Sequence, residues 1–367
     1  MIRIGTLDLE FNLLLAPMAG YTNLPFRLTI RELGGLGLAT TDLVNARSLL
    51  ESRAKAFQLI ETSPADRPLA IQLFGSVLEE MRDAASMAES MGIESIDINM
   101  GCPVPKVCRA GGGSVWMIDV EKSARIAAAM VKAVHVPVTA KMRLGWDAQH
   151  VNAPDLARLL ADAGIAAITV HGRTRDQGFS GAVSLAGIRA VVEAAPRIPI
   201  IGNGDVTTAQ AAAEMIRLTG CQGISIGRGA FYNPWIFRET ASYLQTGELP
   251  SEPGFEDRIA FMSRHLDRMI EVFGEAHACR MFRKVAPLYA RRFGPSREFN
   301  RRMAGIQTRA DFDHAIEVYR QWRLQFLDGD GALKPAYQPR PLASSFADID
   351  TRSNPLLISD GSEVFGQ

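Results

Sequence analysis

The chain contains eight short runs that are apolar almost throughout, and helical stretches separate most of them. Such runs are typical of parallel β-strands that are buried on both faces, because an exposed face would place polar residues at every second position. We predict strands at residues 13–17, 36–44, 69–74, 95–100, 136–143, 166–172, 198–204 and 223–227. Eight strand–helix units over about 240 residues fit an α/β fold of the TIM (β/α)8 barrel type.

The stretches between the strands carry apolar residues at helical spacing, and several end in glycine, which commonly terminates a helix. The clearest are residues 78–92, 120–134, 153–164, 186–195 and 208–220. A doubly wound open sheet would give the same alternation and is the alternative fold. No Gly-x-Gly-x-x-Gly motif follows the first strand, which argues against the dinucleotide-binding form of that sheet.

The composition changes after residue 250. Apolar residues recur with helical period from Ile259 to Phe293, which predicts a small all-helical domain. Residues 327–367 are rich in Gly, Pro, Asp and Ser, which is typical of a flexible or surface-wrapping tail. We therefore predict a catalytic barrel at residues 1–250, a helical domain at 251–326 and a tail at 327–367.

Composition says little about partners but narrows the compartment. Lys and Arg total 40 and Asp and Glu total 40, so the net charge points to no class of ligand. The four cysteines form no Cys-x-x-Cys pair and no zinc-finger spacing, and so few in a chain of this length argue against a disulfide framework. The N-terminal apolar run is too short for a membrane span and a poor signal peptide. We predict a cytoplasmic monomer with no membrane association and no metal site.

Polar residues lie in or just after most of the predicted strands, toward the end where barrel enzymes carry their catalytic groups. These residues are Gln72, Asn99, Lys141, Arg143, His171, Arg173, Arg175, Asn203, Asp205 and Arg228. The loops after strands 7 and 8 are Gly-Asn-Gly-Asp at 202–205 and Gly-Arg-Gly-Ala at 227–230. Glycine lets the backbone approach an anion, and phosphates often bind at these two loops of a barrel. The pattern favours a phosphorylated ligand, and tight turns are the alternative reason for the glycines.

Two residues at the predicted barrel mouth carry reactive groups. Lys141 lies near the end of the fifth strand and can form a Schiff base, which would suit a phosphosugar aldolase or isomerase. Cys102 stands between Gly101 and Pro103 just after the fourth strand. From its residue type alone, a buried structural thiol is the simpler interpretation of this cysteine. The sequence has no obvious pair of glycosidase carboxylates, and His171 has no obvious histidine partner for a metal site.

Residues 280–309 contain nine basic side chains and one acidic side chain, Glu298. Such an excess on predicted helices is the electrostatic signature of phosphate-backbone contacts, so it favours RNA binding. We assign Arg283, Lys284, Arg291 and Arg292 to substrate binding on this basis. An ordinary solvated surface is the alternative interpretation of the charge excess.

Seven stretches together resemble the bacterial tRNA-dihydrouridine synthases, most closely their B-type branch. They are LAPMAGYTNLPFR (15–27), IQLFGS (71–76), DINMGCPVPKVCRAGGGS (97–114), KMRLGW (141–146), ITVHGRTRDQGFSG (168–181), IIGNGD (200–205) and ISIGRGAFYNPWIF (224–237). The resemblance runs to about residue 325 and leaves out the tail. The pattern departs from the common one at Pro105, before Lys106, and at Trp116, where a small or aliphatic residue is usual.

The resemblance implies a TIM-barrel enzyme that uses FMN and NADPH to reduce the C5–C6 double bond of D-loop uridine in tRNA. The residues implied to bind FMN are Pro17, Met18, Ala19, Gln72, Lys141, His171, Asn203, Gly204, Asp205, Gly227 and Arg228. The resemblance implies that Asn99 and Arg175 contact the target base, and we assign Arg143 and Arg173 to substrate binding as well. Cys102 matches the general acid of the family, which gives a proton to C5 while a hydride goes from reduced FMN to C6.

Three other functions fit parts of the pattern. Another FMN barrel, of the dihydroorotate- or enoate-reducing type, would have the same cofactor site but no need of a basic helical domain. An RNA-binding or RNA-chaperoning protein without catalysis would need the basic domain but not Cys102. An aldolase or isomerase using Lys141 would bind no flavin. The tRNA-dihydrouridine synthase is the preferred hypothesis because it alone uses every motif.

Overall fold

A computed structural model describes residues 1–347 of the chain. The strands are β1 (Ile2–Ile4), β2 (Leu7–Leu9), β3 (Leu13–Leu15), β4 (Leu38–Thr40), β5 (Val44–Asn45), β6 (Leu69–Phe74), β7 (Ser95–Met100), β8 (Val138–Arg143), β9 (Ala167–His171), β10 (Val183–Ser184), β11 (Ile200–Asn203), β12 (Gly223–Ile226) and β13 (Phe346–Ala347). The α-helices are α1 (Leu24–Arg31), α2 (Ala46–Leu50), α3 (Ala54–Leu59), α4 (Leu78–Ser90), α5 (Pro105–Arg109), α6 (Val120–Ala133), α7 (Ala153–Asp162), α8 (Leu185–Ala194), α9 (Ala209–Thr219), α10 (Gly229–Tyr232), α11 (Ile236–Thr246), α12 (Phe255–Phe273), α13 (Glu275–Tyr289), α14 (Arg297–Met303) and α15 (Arg309–Arg323).

Eight parallel strands form a closed barrel. Their order around the barrel is β3, β4, β6, β7, β8, β9, β11 and β12, and β12 pairs with β3 to complete the circle. Each of these strands lies inside one of the predicted ranges, because continuous apolar runs are what a strand buried between the barrel interior and the outer helices requires. The predicted α/β fold with a TIM barrel is confirmed.

A short antiparallel pair that the sequence analysis did not predict closes one end of the barrel. Strands β1 and β2 pair with each other, and Ile2, Ile4 and Leu9 pack against Leu14 and Ile201 of the barrel strands. The link between β1 and β2 is packed close to Pro137, which comes just before β8, so the pair covers the amino ends of the strands. The carboxyl ends are left as the open mouth of the barrel.

Helices α12 to α15 form the helical region that follows the barrel. The predicted boundary at residue 250 falls in the connection between α11 and α12. The apolar core of these helices is continuous with that of the barrel, and Phe231 joins the two by stacking on Phe26, with 4.2 Å between ring centroids, and packing on Tyr289. Within residues 1–347, no helix is both long enough and apolar enough to cross a membrane.

The described part of the predicted tail wraps the surface. Residues 327–338 fold against the helical region, where Tyr337 packs on Phe326 with ring centroids 4.7 Å apart. The chain then reaches the barrel, and β13 pairs in parallel with β10. The remainder of the predicted tail, residues 348–367, lies outside the described residues.

A buried ion-pair network fixes α1 to the loop before β6. Both Arg27 and Asp66 are fully buried, and Arg27 Nη2 lies 2.7 Å from Asp66 Oδ2. Arg31 Nε donates to the other Asp66 oxygen at 3.1 Å. Arg27 also donates to the carbonyl oxygens of Thr22 and Glu61, so its guanidinium is well satisfied without water.

We expect Asp66→Ala to lower the free energy of unfolding by about 3–5 kcal/mol, because it leaves the Arg27 charge buried without its counter-charge. Urea titration of the wild type and the variant measures the loss. Asp8→Ala is the matched control, since Asp8 pairs with Arg3 on the surface and both side chains are more than two-thirds exposed. A loss for Asp66→Ala no larger than that for Asp8→Ala would contradict the prediction.

Candidate active site

The carboxyl ends of the barrel strands surround a cavity of about 660 Å³. Its volume is in the range of sites that enclose cofactors and other small molecules. The helical region closes one side of it with Leu288 and Arg291. Cys102 and all the residues predicted to bind the cofactor line this cavity: Pro17, Met18, Ala19, Gln72, Lys141, His171, Asn203, Gly204, Asp205, Gly227 and Arg228. These residues lie far apart in the sequence, and they meet because the carboxyl ends of the barrel strands lie at one face of the barrel.

The residues predicted to bind the substrate divide into two groups. Asn99, Arg143 and Arg291 line the cavity. The other five do not line it: Arg173, Arg175, Arg283, Lys284 and Arg292. Arg173 is 1% exposed, and its guanidinium is held by protein atoms, so the structure places it behind the cavity wall rather than on its surface.

A chain of hydrogen bonds leads from the barrel interior to the backbone of Cys102. Gln72 Nε2 donates to Asp97 Oδ2 at 2.7 Å, and Asn99 Nδ2 donates to Gln72 Oε1 at 2.7 Å. Asn99 Oδ1 then accepts from the backbone N–H of Cys102 at 3.0 Å. Because each amide has its donor and acceptor ends committed, the network fixes the orientation of both amides. Asp97 is buried at its base, and burial raises the pKa of this carboxyl.

Cys102 lies at the mouth of the cavity as a free thiol. Burial raises the pKa of this thiol, and the lowering by the Val104 backbone N–H and by the charges of Arg143 and Lys141 is weaker. The thiol is therefore protonated at neutral pH and holds a proton that it can donate. The Cys108 thiol is nearby and donates to the carbonyl oxygen of Cys102 over 3.5 Å.

Lys141 provides a buried amino group on the cavity wall. Its Nζ donates to Asn203 Oδ1 at 2.9 Å, and Asn203 in turn donates to the Ser225 carbonyl oxygen, so β8, β11 and β12 are joined at this point. Burial and the nearby charge of Arg143 lower the pKa of Lys141 to about 8. The amino group is thus mostly charged at neutral pH and begins to lose its proton just above it.

His171 is a buried, neutral ring next to these cations. Burial is the main cause that lowers its pKa well below the usual range, and Lys141, Arg143 and Arg173 add to the effect. Its Nε2 lies 3.3 Å from Nη1 of Arg173, which as a guanidinium can only donate. The ring is therefore a hydrogen-bonding group and not a charge at neutral pH. Within residues 1–347, no cluster of three or more His, Cys, Asp or Glu side chains is arranged to hold a metal ion.

Arg143 organises the loops around Cys102. Its Nε donates to the carbonyl oxygen of Gly101 at 2.8 Å, and its Nη1 donates to those of Thr174 and Gly178, both at 2.8 Å. Burial lowers the pKa of Arg143 to about 10, so the guanidinium remains charged at neutral pH. Arg143 therefore fixes the turn that carries the thiol and gives the cavity a positive charge.

The loops after β11 and β12 form the far end of the cavity. Gly204 has φ +127° and Asp205 has φ +46°, both in the left-handed region, and a Cβ on Gly229 would lie 2.2 Å from the Val206 carbonyl oxygen. Arg173 makes two hydrogen bonds to Asp205, at 3.1 and 2.5 Å, and Arg228 makes one at 3.1 Å. Asp205 is thus held from inside by Arg173 and holds the half-exposed Arg228 at the cavity edge.

Two aromatic side chains near the mouth contact arginines. Phe179 is 61% exposed and has the guanidiniums of Arg143 and Arg228 within 5.5 and 5.4 Å of its ring centroid. Arg291 lies over the ring of Tyr232, 4.1 Å from its centroid. These contacts hold apolar rings and positive charge side by side at the entrance, a combination suited to bases and phosphates.

The structure divides the nine basic residues of segment 280–309 by their partners. Arg292, Arg301, Arg302 and Arg309 form salt bridges to carboxylates. Arg283 is half-buried and donates to the Ile306 carbonyl oxygen. Arg280, Lys284, Arg291 and Arg297 are exposed and have no carboxylate partner among residues 1–347. The excess of positive charge is therefore smaller than the sequence suggests, and these four carry it.

Several residues that support the site were not predicted from the sequence. Asp97 lies within an apolar strand and Asp42 lies just after one. An acidic residue at such a position could have indicated a supporting role. Asp42 accepts hydrogen bonds from the backbone of Gly20 and Thr22 and so holds the loop after β3. Ala343 lines the cavity from the tail, and nothing about an alanine in a polar segment indicated this position.

Comparison with known proteins adds an independent finding. The family model described as dihydrouridine synthase matches residues 14–323. The tRNA-dihydrouridine synthase B of Xanthomonas axonopodis pv. citri is 40% identical over 298 residues, which are 81% of this chain and 89% of that protein. A probable tRNA-dihydrouridine synthase of Rhizobium leguminosarum bv. phaseoli is 39% identical over 316 residues, which are 86% of this chain and 96% of the relative.

Among solved structures, histamine dehydrogenase from Rhizobium sp. 4-9 superimposes with a TM-score of 0.53 at 11% identity. The match covers 73% of this chain and 50% of the dehydrogenase chain, so this chain spans about half of that protein. At this identity the likeness concerns the fold alone, and it agrees with the barrel described above.

Proposed function

The chain belongs to the dihydrouridine synthase family, and from that premise we propose that it reduces the C5–C6 double bond of D-loop uridine in tRNA to 5,6-dihydrouridine. One observation carries the proposal: a protonated thiol, Cys102, lies at the mouth of a cavity whose wall holds Lys141 and whose far end is built of glycine loops and Arg228. A proton donor, a charge for an electron-rich ring and an anion site are the three groups that such a reduction needs.

We propose FMN as the cofactor because the cavity residues fit its parts. A Cβ on Gly227 would lie 3.5 Å from Met18 Sδ, an ordinary van der Waals distance, so Gly227 and Met18 are neighbours on the cavity wall and offer a ligand an apolar surface. Lys141 would face the polar edge of the isoalloxazine ring, and the loops of Gly204 and Arg228 would hold the phosphate. When bound, FMN supplies the hydride, and NADPH is the proposed source of its electrons.

Cys102 is the proposed general acid that protonates C5 of the uracil ring. The hydrogen-bond chain from Asp97 through Gln72 and Asn99 fixes the backbone from which the thiol projects. Burial raises the pKa of the thiol, so the proton stays on sulfur until it is transferred to C5 of the substrate. After transfer the thiolate is next to the charges of Arg143 and Lys141, which lower its energy before a new proton arrives.

We assign recognition of the target base to Asn99 and to the rings at the entrance. Asn99 uses one amide hydrogen on Gln72, and the second has no partner among residues 1–347, so it is free for a uracil carbonyl. Phe179 offers an exposed ring on which a base can stack. Arg173 would act on the substrate only through Asp205 and Arg228, because it lies behind the cavity wall.

The tRNA backbone is proposed to cross the face between the barrel mouth and the helical region. Arg280, Lys284, Arg291 and Arg297 supply the unpaired charge on the helical side. Arg175 lies outside the cavity over the ring of Trp146, with 4.6 Å from its guanidinium to the centroid, and we place it at the nucleotides that flank the target. With tRNA as substrate, we propose a cytoplasmic enzyme that works as a monomer.

Reoxidation of the reduced protein separates this function from a small-molecule reductase. The FMN-loaded protein is reduced with NADPH without oxygen and mixed with unmodified tRNA, with orotate or with a simple enone. We expect rapid return of the oxidised flavin spectrum with tRNA only. Reoxidation by orotate or the enone and not by tRNA would support an FMN barrel enzyme with a small substrate. A protein that shows no flavin spectrum after incubation with FMN would contradict the proposed cofactor.

A further inference from the structure

The strap, defined as residues 340–347, joins the helical region to the loops at the carboxyl end of the barrel. At its start, Arg292 Nη1 donates to the Arg340 carbonyl oxygen at 3.4 Å. At its end, the Val183 N–H donates to the Ser345 carbonyl oxygen at 2.7 Å, and β13 pairs with β10. The strap is therefore held at both ends by elements that are themselves fixed in the fold.

Between these ends the strap passes over the far end of the cavity. Thr207 Oγ1 donates to the Ala343 carbonyl oxygen at 3.2 Å, and both residues line the cavity. Thr207 comes two residues after Asp205, in the loop after β11 that we assign to phosphate binding. The strap is thus in direct contact with the loop that would carry the phosphate end of the cofactor.

Apolar and polar contacts alternate along the strap. Leu342 and Phe346 are partly buried and pack against the main apolar core, while Ala343 and Ser345 are exposed at the level of the whole residue. This period of two is the pattern of an extended segment with one face against the protein. The strap is therefore attached by two side chains and a few backbone hydrogen bonds, and it can detach without unfolding the barrel.

The strap lies outside the part of the chain that matches the family. The family model ends at residue 323, whereas the strap begins at residue 340. The strap is therefore an addition to a cavity whose other lining residues lie within the part of the chain that matches the family.

We propose that the strap is part of the cofactor-binding site and closes its phosphate end, so that FMN is released only after the strap detaches from Thr207 and from β10. The inference rests on the proposed function, since it takes FMN as the ligand. The strap would slow the release of FMN and would have little effect on the reaction of the bound cofactor.

The test measures the rate of FMN release from the full-length protein after dilution, followed by the rise of flavin fluorescence. Leu342→Asp/Phe346→Asp replaces both apolar contacts of the strap with charges. We expect release at least about tenfold faster than from the wild type, the factor that corresponds to losing one or two net contacts. Leu324→Asp is the matched control, because Leu324 is an exposed leucine before the strap, and we expect no change in its rate.

A second pair of variants tests the Thr207 contact alone, in case the double variant folds poorly. Thr207→Val removes the hydroxyl that bonds the Ala343 carbonyl and should speed release several-fold, whereas Thr207→Ser keeps a hydroxyl and should restore slow release. Equal release rates for wild type, Thr207→Val and the double variant would overturn the role of the strap while leaving the FMN site intact. A wild-type protein that binds no FMN would overturn the proposed cofactor as well.

Discussion

Replacing Cys102 with alanine is expected to lower the rate of dihydrouridine formation by about 100- to 10,000-fold, the usual contribution of a positioned general acid. The substitution removes the one group that we assign to protonating C5, and it leaves the walls that would hold FMN unchanged. Single-turnover reaction of the reduced, FMN-loaded variant with unmodified tRNA measures the loss directly.

The matched control is Cys108→Ala. Cys108 is also a partly buried free thiol and lies six residues from Cys102, but it does not line the cavity. We expect near wild-type product formation from it, and FMN content and tRNA affinity close to those of the wild type in both variants. Full activity of Cys102→Ala, or an equal loss in the two cysteine variants, would contradict the assignment of Cys102 as the acid.

Lys141→Met is expected to lower the rate of flavin reduction by NADPH by about 100- to 1,000-fold, the range found when one preorganised charge-stabilising group is removed. The Lys141 amino group is fixed on Asn203 and lies on the cavity wall, where a bound cofactor would exclude water and lower the dielectric around its charge. Stopped-flow absorbance of the bound flavin gives the rate. Lys141→Arg keeps a positive charge and should retain much more activity than Lys141→Met.

The same residue predicts a pH dependence whose sign follows from its pKa of about 8. Below this value Lys141 carries its charge, and above it the amino group is neutral. The wild-type reduction rate should therefore be level below about pH 7 and fall as the pH rises through about 8. Lys141→Met has no proton to lose there, so its slow rate should lack this step. A step of equal size in both proteins would show that another group causes it.

The barrel was predictable because burial on both faces leaves an unbroken apolar run for each strand. The pair β1 and β2 was missed although Ile-Arg-Ile and Leu-Asp-Leu each alternate apolar and polar residues, because an alternation over only three residues is a weak signal. The strap was not predictable either. Its contacts with Val183 and Thr207 are made by backbone carbonyl oxygens, and such contacts leave no requirement on the side chains that a sequence would display.

The sequence allowed us to predict which strand ends meet at the site. It did not allow us to predict whether a given side chain near a strand end faces the cavity. His171 and Arg173 lie two residues apart in one motif, yet His171 lines the cavity and Arg173 lies behind it. The loop that follows β9 turns between them, and its path depends on hydrogen bonds from Arg173 to the Gly181 carbonyl oxygen in the same loop and to the side chain of Asp205. The free positive charge of residues 280–309 was also overestimated from the sequence, because acidic partners such as Glu252 and Asp267 lie outside this segment.

The measurement that tests the central claim most directly is position-resolved mapping of dihydrouridine in tRNA. Transcribed, unmodified tRNA is incubated with the purified protein, FMN and NADPH, and each uridine is then examined for reduction. The account predicts dihydrouridine at defined D-loop positions with wild-type protein and almost none with Cys102→Ala. Unchanged uridine at every position, from a protein that carries FMN and consumes NADPH with another acceptor, would contradict it.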